Sequence, residues 1–230
     1  TPIWASKENI TTVVIDQGVK RIGRFTFNGC HKLTNLTIGK DVTSIGDGAF
    51  NACSALQKLE IPNSVETIEE GAFLLNSALT NVTIGTGVKA IGAGAFRSCS
   101  SLTSIVIPDS VTSIGEYAFA ECGKLNTVVI GNGVTTIESR AFEDTTEVKE
   151  LTMPITLSME SGGMSGLTKL KKVTLTKGKD GQGINYYVDE KDSAEEKKDR
   201  EYLQRTPIWA SKENITTVVI DQGVKRIGRF

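Results

Sequence analysis

The sequence is poor in the residues from which catalytic and nucleic-acid-binding sites are usually built. Its 230 residues include one histidine, four cysteines and only 6% aromatic residues. Lys and Arg number 26 against 27 Asp and Glu, so the formal net charge is −1. A nearly neutral chain has no electrostatic case for binding a phosphate backbone or an anionic membrane. We therefore expect no nucleic-acid partner.

Long apolar runs are also missing. No stretch approaches the ~18 consecutive apolar residues of a transmembrane helix, and we expect no membrane span. The chain opens with Thr1, without an initiator methionine or a signal peptide, as expected of a processed form or a fragment. Glycine is plentiful, at 23 residues, and together with many β-branched residues it favours short strands joined by tight turns.

What the sequence does have is internal repetition with a period of 23 residues. An isoleucine recurs six times at this spacing, a phenylalanine follows each isoleucine by five residues, and a leucine or valine ladder lies upstream. The three ladders are Ile22, Ile45, Ile68, Ile91, Ile114 and Ile137; Phe27, Phe50, Phe73, Phe96, Phe119 and Phe142; and Leu33, Leu56, Leu79, Leu102, Leu125 and Val148.

One copy, SLTSIVIPDSVTSIGEYAFAEC, shows the whole repeating unit. Leu102, Ile105 and Ile107 are its inward residues, the last two at the period of a strand. PDS predicts a turn, Val111 and Ile114 point inward again, and GEYAFAEC predicts a short helical or 3-10 return. A single coil cannot bury its own apolar edge, but stacked coils can, with strands ~4.8 Å apart in a parallel ladder.

The turns of successive copies alternate in sequence. They read GKDV, PNSV, GTGV, PDSV and GNGV in chain order. The alternation indicates that the underlying unit is a pair of coils.

These residues resemble the BspA-like family of leucine-rich repeats, whose units read roughly L-x-x-I-x-I-P-x-S-V-x-x-I-G-x-x-A-F-x-x-C. Residues 10–153 match this pattern throughout, and Pro2, Trp4 and ITTVVI look like the opening segment of that family. The resemblance implies a β-rich, right-handed leucine-rich-repeat solenoid of a bacterial or protist protein, at the cell surface or secreted. It implies binding to other proteins or to extracellular matrix, and no enzyme or cofactor.

The expected organisation has four parts. After residue 153 the repeat decays, KGKDGQG predicts a hairpin loop, and a capping box of Ser193 and Glu196 predicts a helix over about 193–205. The parts are an opening or capping segment 1–9, the solenoid 10–153, a degenerate repeat with hairpin and capping helix 154–205, and a copy of the opening segment at 206–230.

The four cysteines lie three residues after a repeat phenylalanine, and Asn76 occupies the same position in one copy. Cys30 and Cys53, like Cys99 and Cys122, are one coil apart, which allows disulfides in principle. A zinc site is conceivable, but identical stacked positions do not readily give tetrahedral geometry. Cys and Asn alternate at this position in leucine-rich repeats, whose turns they hold by bonding the backbone. We therefore favour free, buried thiols with a structural role and expect no metal.

Two further groups are candidates for catalysis. His31, the only histidine, follows Cys30, but a Cys–His nucleophile needs side chains in hydrogen-bond reach and a third, orienting group. Sequence neighbours seldom achieve this arrangement. Glu69 and Glu70 lie on a predicted solvated turn with no sign of a desolvated pocket. We expect no enzyme.

The outward residues of the predicted strands form what we call the strand face. They are small and β-branched, which is the ordinary composition of an exposed strand but also suits a broad protein-binding surface. An unbroken threonine grid would have suggested ice binding, and the valine and glutamate interruptions argue against it. The candidate ligand-binding residues are Asn35, Thr37, Lys58, Glu60, Asn81, Thr83, Ser104, Val106, Thr127 and Val129.

The first 25 residues, TPIWASKENITTVVIDQGVKRIGRF, return unchanged as residues 206–230. Neighbouring coils agree only where the core requires it, so core packing does not enforce this identity. The larger unit is therefore 205 residues (206 minus 1), either from a natural tandem array or from an artificial duplication. We expect head-to-tail self-association through 206–230, by edge stacking or by exchange of the two copies.

Two functions from different classes follow. The first is a binding and adhesion module that recognises a protein or matrix ligand through the strand face. The second is a structural unit that is joined end to end into a surface stalk or filament.

Overall fold

The computed structural model describes residues 7–154, 157–159, 162–178 and 214–220. These residues form a solenoid of short parallel strands, which confirms the predicted fold. Within them Lys7–Asn9 forms a 3-10 turn, and no helix is long or apolar enough to cross a bilayer. The predicted helix at 193–205 and the predicted hairpin beyond residue 178 lie outside the described residues.

The longer strands lie one above the other along one side of the solenoid, in three parallel sheets of two, two and five strands, and carry the strand face. Each coil contributes one strand, and paired residues of consecutive coils stand side by side, as with Val106 and Val129. These strands are β1 (Thr12–Ile15), β3 (Asn35–Ile38), β5 (Lys58–Glu60), β7 (Asn81–Thr83), β9 (Ser104–Ile107), β11 (Thr127–Ile130), β13 (Glu150–Pro154), β15 (Lys172–Thr176) and β16 (Thr217–Ile220).

A second ladder of two-residue strands runs along the other side of the turns. It is one seven-stranded parallel sheet, and the repeat isoleucines pair with each other along it. Its strands are β2 (Arg21–Ile22), β4 (Ser44–Ile45), β6 (Thr67–Ile68), β8 (Ala90–Ile91), β10 (Ser113–Ile114), β12 (Thr136–Ile137) and β14 (Ser158–Met159).

The phenylalanine ladder fills the core between the strands and the returns. Six rings, from Phe27 to Phe142, stack face to face with centroids 5.2–5.4 Å apart and planes within 4–13° of parallel. Their side chains are buried, and those from Phe50 onward are fully inaccessible to solvent. Because the coils repeat at a constant spacing, each inner ring packs against the ring before it and the ring after it.

The returns are successions of turns, not the helical or 3-10 segments predicted from the sequence. In the coil around Phe96, the Arg97 N–H donates to the carbonyl oxygen of Gly94 within the coil (3.1 Å), whereas the Phe96 N–H donates to Ala118 of the next coil (2.8 Å). The chain takes a positive φ at Gly94 (57°) and at Ser98 (59°). A helix would keep its hydrogen bonds within one coil. The alternation of backbone conformation sends every second N–H across to the neighbouring coil.

The turns that follow the longer strands are linked two by two, in step with their alternating sequences. An added Cβ at Gly133 would lie 1.8 Å from the carbonyl oxygen of Asp109, and one at Gly87 would lie 2.0 Å from that of Asn63, so these coils approach too closely for any side chain. In each pair a side-chain oxygen accepts a backbone N–H of the other coil: Asp41 from Gly18 (2.8 Å), Asn63 from Thr86 (2.9 Å) and Asp109 from Asn132 (2.7 Å).

The ladder does not stop where the sequence pattern decays. β13 pairs with β15 over five residues, and β15 pairs with β16, which comes from the second copy of the opening segment. Leu170, Val173 and Leu175 are buried in this continuation. The predicted boundary at residue 153 thus marks a change in sequence while the parallel ladder runs on.

Candidate functional site

The strand face is an exposed surface built from alternate residues of the longer strands. On most of these strands the intervening residue is buried, for example Leu59 on β5 and Ile105 on β9, so its neighbours point outward; Leu36 on β3 is half-buried. Of the ten candidate residues, Thr127 and Val129 are half-buried. The other eight are exposed: Asn35, Thr37, Lys58, Glu60, Asn81, Thr83, Ser104 and Val106.

The face includes an open depression of about 920 Å³ at the carboxyl ends of β7, β9 and β11. Val106 and Val129 lie side by side within it, and the turns after β9 and β11 supply further lining through Pro108 and Asn132. Five of the candidate residues line it: Asn81, Thr83, Ser104, Val106 and Val129.

One edge of the depression is held by a hydrogen bond that skips a coil. The Thr176 hydroxyl lies 2.7 Å from Oδ1 of Asn132, two coils away, and the Asn132 N–H donates to Asp109. Asp109 and Asn132 were not predicted as site residues, because their sequences, PDS and GNG, are those of ordinary turns. Their place beside the strand face depends on how far the coils are offset, and the sequence carries no signal of that.

Charge on the strand face is mixed. Lys58 and Glu60 are exposed two residues apart on the same side of β5. Farther along, Lys172 Nζ and Glu150 Oε2 form an ion pair of 3.5 Å across β13 and β15. Opposite charges beside uncharged Thr, Asn and Val give a surface without a dominant sign.

The cysteine ladder lies inside the stack and is separate from the strand face. Three thiols, and the amide of Asn76 in the same position, donate to the carbonyl oxygen of the phenylalanine one coil earlier. The pairs are Cys53 to Phe27 (3.3 Å), Asn76 to Phe50 (2.9 Å), Cys99 to Phe73 (3.4 Å) and Cys122 to Phe96 (3.3 Å).

One position of this ladder was not predicted. Thr145 lies 23 residues after Cys122, is fully buried, and donates its hydroxyl to the carbonyl oxygen of Phe142 (2.6 Å). Threonine is too frequent in this chain to draw attention, but the 23-residue spacing alone would have identified it.

Burial determines the chemistry of the thiols. All four cysteines are free and buried. Desolvation raises the pKa of Cys53 and of Cys122 from about 9 to about 12, and raises the pKa of Cys99 and Cys30 as well. A thiol that stays protonated is neither a nucleophile nor a metal ligand. Among the residues that the structure describes, no three His, Cys, Asp or Glu side chains cluster as a metal site would need.

The structure places the remaining catalytic candidates, His31 and Glu69, in different surroundings. His31 is exposed while its neighbour Cys30 is buried. Glu69 accepts hydrogen bonds from Arg21 Nη2 (2.7 Å) and from the Ser44 hydroxyl (3.0 Å), which ties three successive coils together.

Solved structures are similar to this chain. The crystal structure of a leucine-rich repeat protein from T. pallidum is similar at a TM-score of 0.65 and 29% identity, over 70% of this chain and 78% of that one. A leucine-rich repeat protein from Bacteroides ovatus matches at a TM-score of 0.47 and 22% identity, over 96% of this chain and 63% of that one. The pneumococcal vaccine antigen PcpA matches at 0.45 and 20%, over 93% and 68%. No curated protein matches the chain.

The repeat itself is matched by a known family. The family described as BspA type Leucine rich repeat region matches residues 3–102 and 89–188, with six copies of the repeat. Together these ranges cover well over half of the sequence. The chain therefore belongs to the BspA-type leucine-rich repeat family.

Proposed function

We propose that the chain is a binding module of a cell-surface or secreted protein, and that it recognises a protein or extracellular-matrix ligand through the strand face. The observation that carries the proposal is the exposure of the aligned outward rows from β3 to β9, beside the depression. The location at the cell surface or outside the cell is supported by membership of the BspA-type family.

The composition of the strand face favours a large ligand over a small one. Thr83, Ser104 and Val106 are short side chains, which let the backbone of a partner come close to the sheet. The depression is broad and open and spans several coils, whereas sites for small molecules are deep and enclose most of the ligand. The mixed charge around Lys58 and Glu60 suits polar contacts at the rim of a protein interface.

We further propose that the chain has no enzymatic role. Its thiols are held protonated by burial, and Glu69 is occupied in joining coils. No cofactor is part of the proposed function.

Binding can be tested with the full chain and a panel of immobilised extracellular-matrix glycoproteins, with surface plasmon resonance as the readout. We expect at least one glycoprotein to bind, and Val106→Arg to lower its affinity tenfold or more, since a long charged side chain would stand in the centre of the strand face. Leu75→Arg is the matched control, because Leu75 is also an exposed apolar residue but lies on a return. Equal affinity of the two variants would contradict a role for the strand face.

A second candidate function, a structural unit of a stalk or filament, is supported by a separate observation. The strand from the second copy of the opening segment, β16, continues the ladder of the first unit in register. Units of this kind can be joined without a break in the solenoid. Regular rods seen by electron microscopy of concentrated protein without ligand would favour this candidate.

A further inference from the structure

The same seven residues, NITTVVI, occupy two different places in the stack. Residues 9–15 begin the solenoid, and their strand β1 pairs with β3. Residues 214–220 end it, and their strand β16 pairs with β15, with Thr174 beside Val219. The first copy of this sequence therefore has a neighbouring strand on its following side, and the second copy has one on its preceding side.

The backbone hydrogen bonds of the two copies lie on opposite edges of the strand. In the first copy the carbonyl oxygen of Thr11 accepts the N–H groups of Thr34 (2.9 Å) and Asn35 (3.1 Å) of the following coil. In the second copy the N–H groups of Thr216 and Thr217 donate to the carbonyl oxygen of Lys171, in the preceding coil, at 2.9 and 3.1 Å. Both sets of hydrogen bonds join one coil to the next in the same pattern. The first copy uses a carbonyl oxygen of the segment, and the second copy uses its N–H groups.

The asparagine side chain that begins each segment also bonds to a different neighbouring coil in each copy. Asn9 Oδ1 accepts a hydrogen bond from Lys32 of the following coil (3.1 Å), and Asn214 Nδ2 donates to the carbonyl oxygen of Thr168 in the preceding coil (3.1 Å). The oxygen and the nitrogen of one amide can make both bonds together. A single NITTVVI segment can thus lie between a strand like β15 and a strand like β3 and make these hydrogen bonds of both copies together.

We propose that β15 of one molecule binds residues 9–15 of a second copy of this chain in place of its own residues 214–220. The ladder then runs from β13 and β15 of the first molecule directly into β1 and β3 of the second. This contact is heterologous and leaves a free β15 on the second molecule, so it propagates as a head-to-tail filament. It uses the end of the stack and is independent of ligand binding at the strand face.

Burial favours the exchanged arrangement. Val218, Val219 and Ile220 on β16 are 44, 40 and 42% exposed, whereas Val13, the counterpart of Val218, is only 7% exposed beneath the following coils. Exchange therefore replaces a poorly covered end strand with one that brings a complete stack behind it. The tethered copy competes through an effective concentration of the order of millimolar, so exchange needs concentrated protein or a weakened tethered copy.

Engineered cysteines distinguish the two arrangements in the full chain. Val14→Cys with Thr174→Cys places thiols side by side only between molecules, because Val14 is the counterpart of Val219. Under mild oxidation we expect a ladder of covalent dimers, trimers and longer species on a non-reducing gel. Adding Val218→Lys, which weakens the tethered copy, should lower the protein concentration at half-maximal cross-linking at least tenfold.

Two controls fix the interpretation. Thr174→Cys with Val219→Cys should cross-link within one molecule and run as a monomer, which verifies the geometry. Val14→Cys with Thr83→Cys, exposed residues of coils that are not adjacent in either arrangement, should not form a ladder. The inference is overturned if the Val14/Thr174 pair stays monomeric at every concentration with Val218→Lys present, if the Val14/Thr83 pair forms an equal ladder, or if the Thr174/Val219 pair fails to cross-link.

Discussion

The interior of the stack and its strand face are made by the same coils, yet they differ in how closely one coil copies the next. Phe96 and Val106 are ten residues apart, one in each region. At the first position six successive coils carry phenylalanine, and their rings form one continuous stack. At the second, successive coils carry Val, Thr, Glu, Thr, Val, Val, Thr and Thr.

The difference follows from what each side chain contacts. An inner phenylalanine packs against identical rings on both sides, so a change in one coil leaves a gap for two neighbours. A residue of the strand face has solvent above it, and an exchange of threonine for valine there alters little. Repetition is therefore required inside the stack, whereas the outward residues are free to vary from coil to coil.

The largest effect is expected at the centre of the phenylalanine stack. Phe96→Ala should lower the free energy of unfolding by about 3–5 kcal/mol, because it leaves a cavity between two rings that cannot collapse. Phe25→Ala is the matched control, since Phe25 lies outside the stack and is 46% exposed, and it should cost less than about 1 kcal/mol. Urea unfolding followed by circular dichroism measures both. Similar losses for the two variants would show that the rings are not the core of the fold.

A smaller effect is expected where neighbouring coils meet backbone to backbone. Gly133→Ala should destabilise the chain by about 1–3 kcal/mol, because its Cβ would overlap the carbonyl oxygen of Asp109. Gly123→Ala is the control, since nothing lies within 4 Å of the Cβ position there, and it should change stability by about 0.5 kcal/mol or less. Thermal unfolding of both variants checks this, and a tolerated Gly133→Ala would mean that the coils are farther apart than described.

The buried thiols predict a weaker, pH-dependent effect. In the unfolded chain Cys53 loses its proton near pH 9, but in the folded chain it keeps the proton until about pH 12. The unfolded state therefore binds fewer protons as the pH rises, and the free energy of unfolding should fall between these values by about 1.4 kcal/mol per pH unit for this thiol. Below pH 9 the stabilisation is fully present.

Cys53→Ser provides the comparison, because a hydroxyl can donate a hydrogen bond in place of the thiol but does not titrate in this range. Urea unfolding at pH 8, 9.5 and 10.5 should give a shallower decline for the variant than for the natural chain. Parallel declines would show that the Cys53 thiol is not desolvated in the folded state.

The same comparison explains what could be predicted from the sequence. The ladders that include Ile114 and Phe119 can be recognised in the sequence, because stacking requires the same residue type at a fixed spacing. They were sufficient to predict the solenoid. Residues of the strand face could be assigned to it from strand alternation alone, which placed Thr83 and Val106 outward. A role in binding leaves no comparable periodic signal.

The returns could not be predicted because their conformation is imposed by neighbouring coils. Tyr117 and Arg140 adopt positive φ values of 55° and 56°, which side chains other than glycine rarely take. Glycine at the matching Gly94 hints at this backbone, but non-glycine residues elsewhere hide it. The pairing of β15 with β16 was hidden for a different reason, since Lys172 and Thr217 are 45 residues apart and the 23-residue period does not connect them.

The central claim is that the interior of the stack determines stability and the strand face does not. It is tested most directly by the free energy of unfolding of Val106→Arg, measured in urea beside that of Phe96→Ala. Val106 is 59% exposed, so the substitution should leave the stability of the full chain within about 0.5 kcal/mol of the natural protein, while Phe96→Ala loses about 3–5 kcal/mol. A loss above about 2 kcal/mol for Val106→Arg would contradict the account, because it would place the strand face among the determinants of the fold.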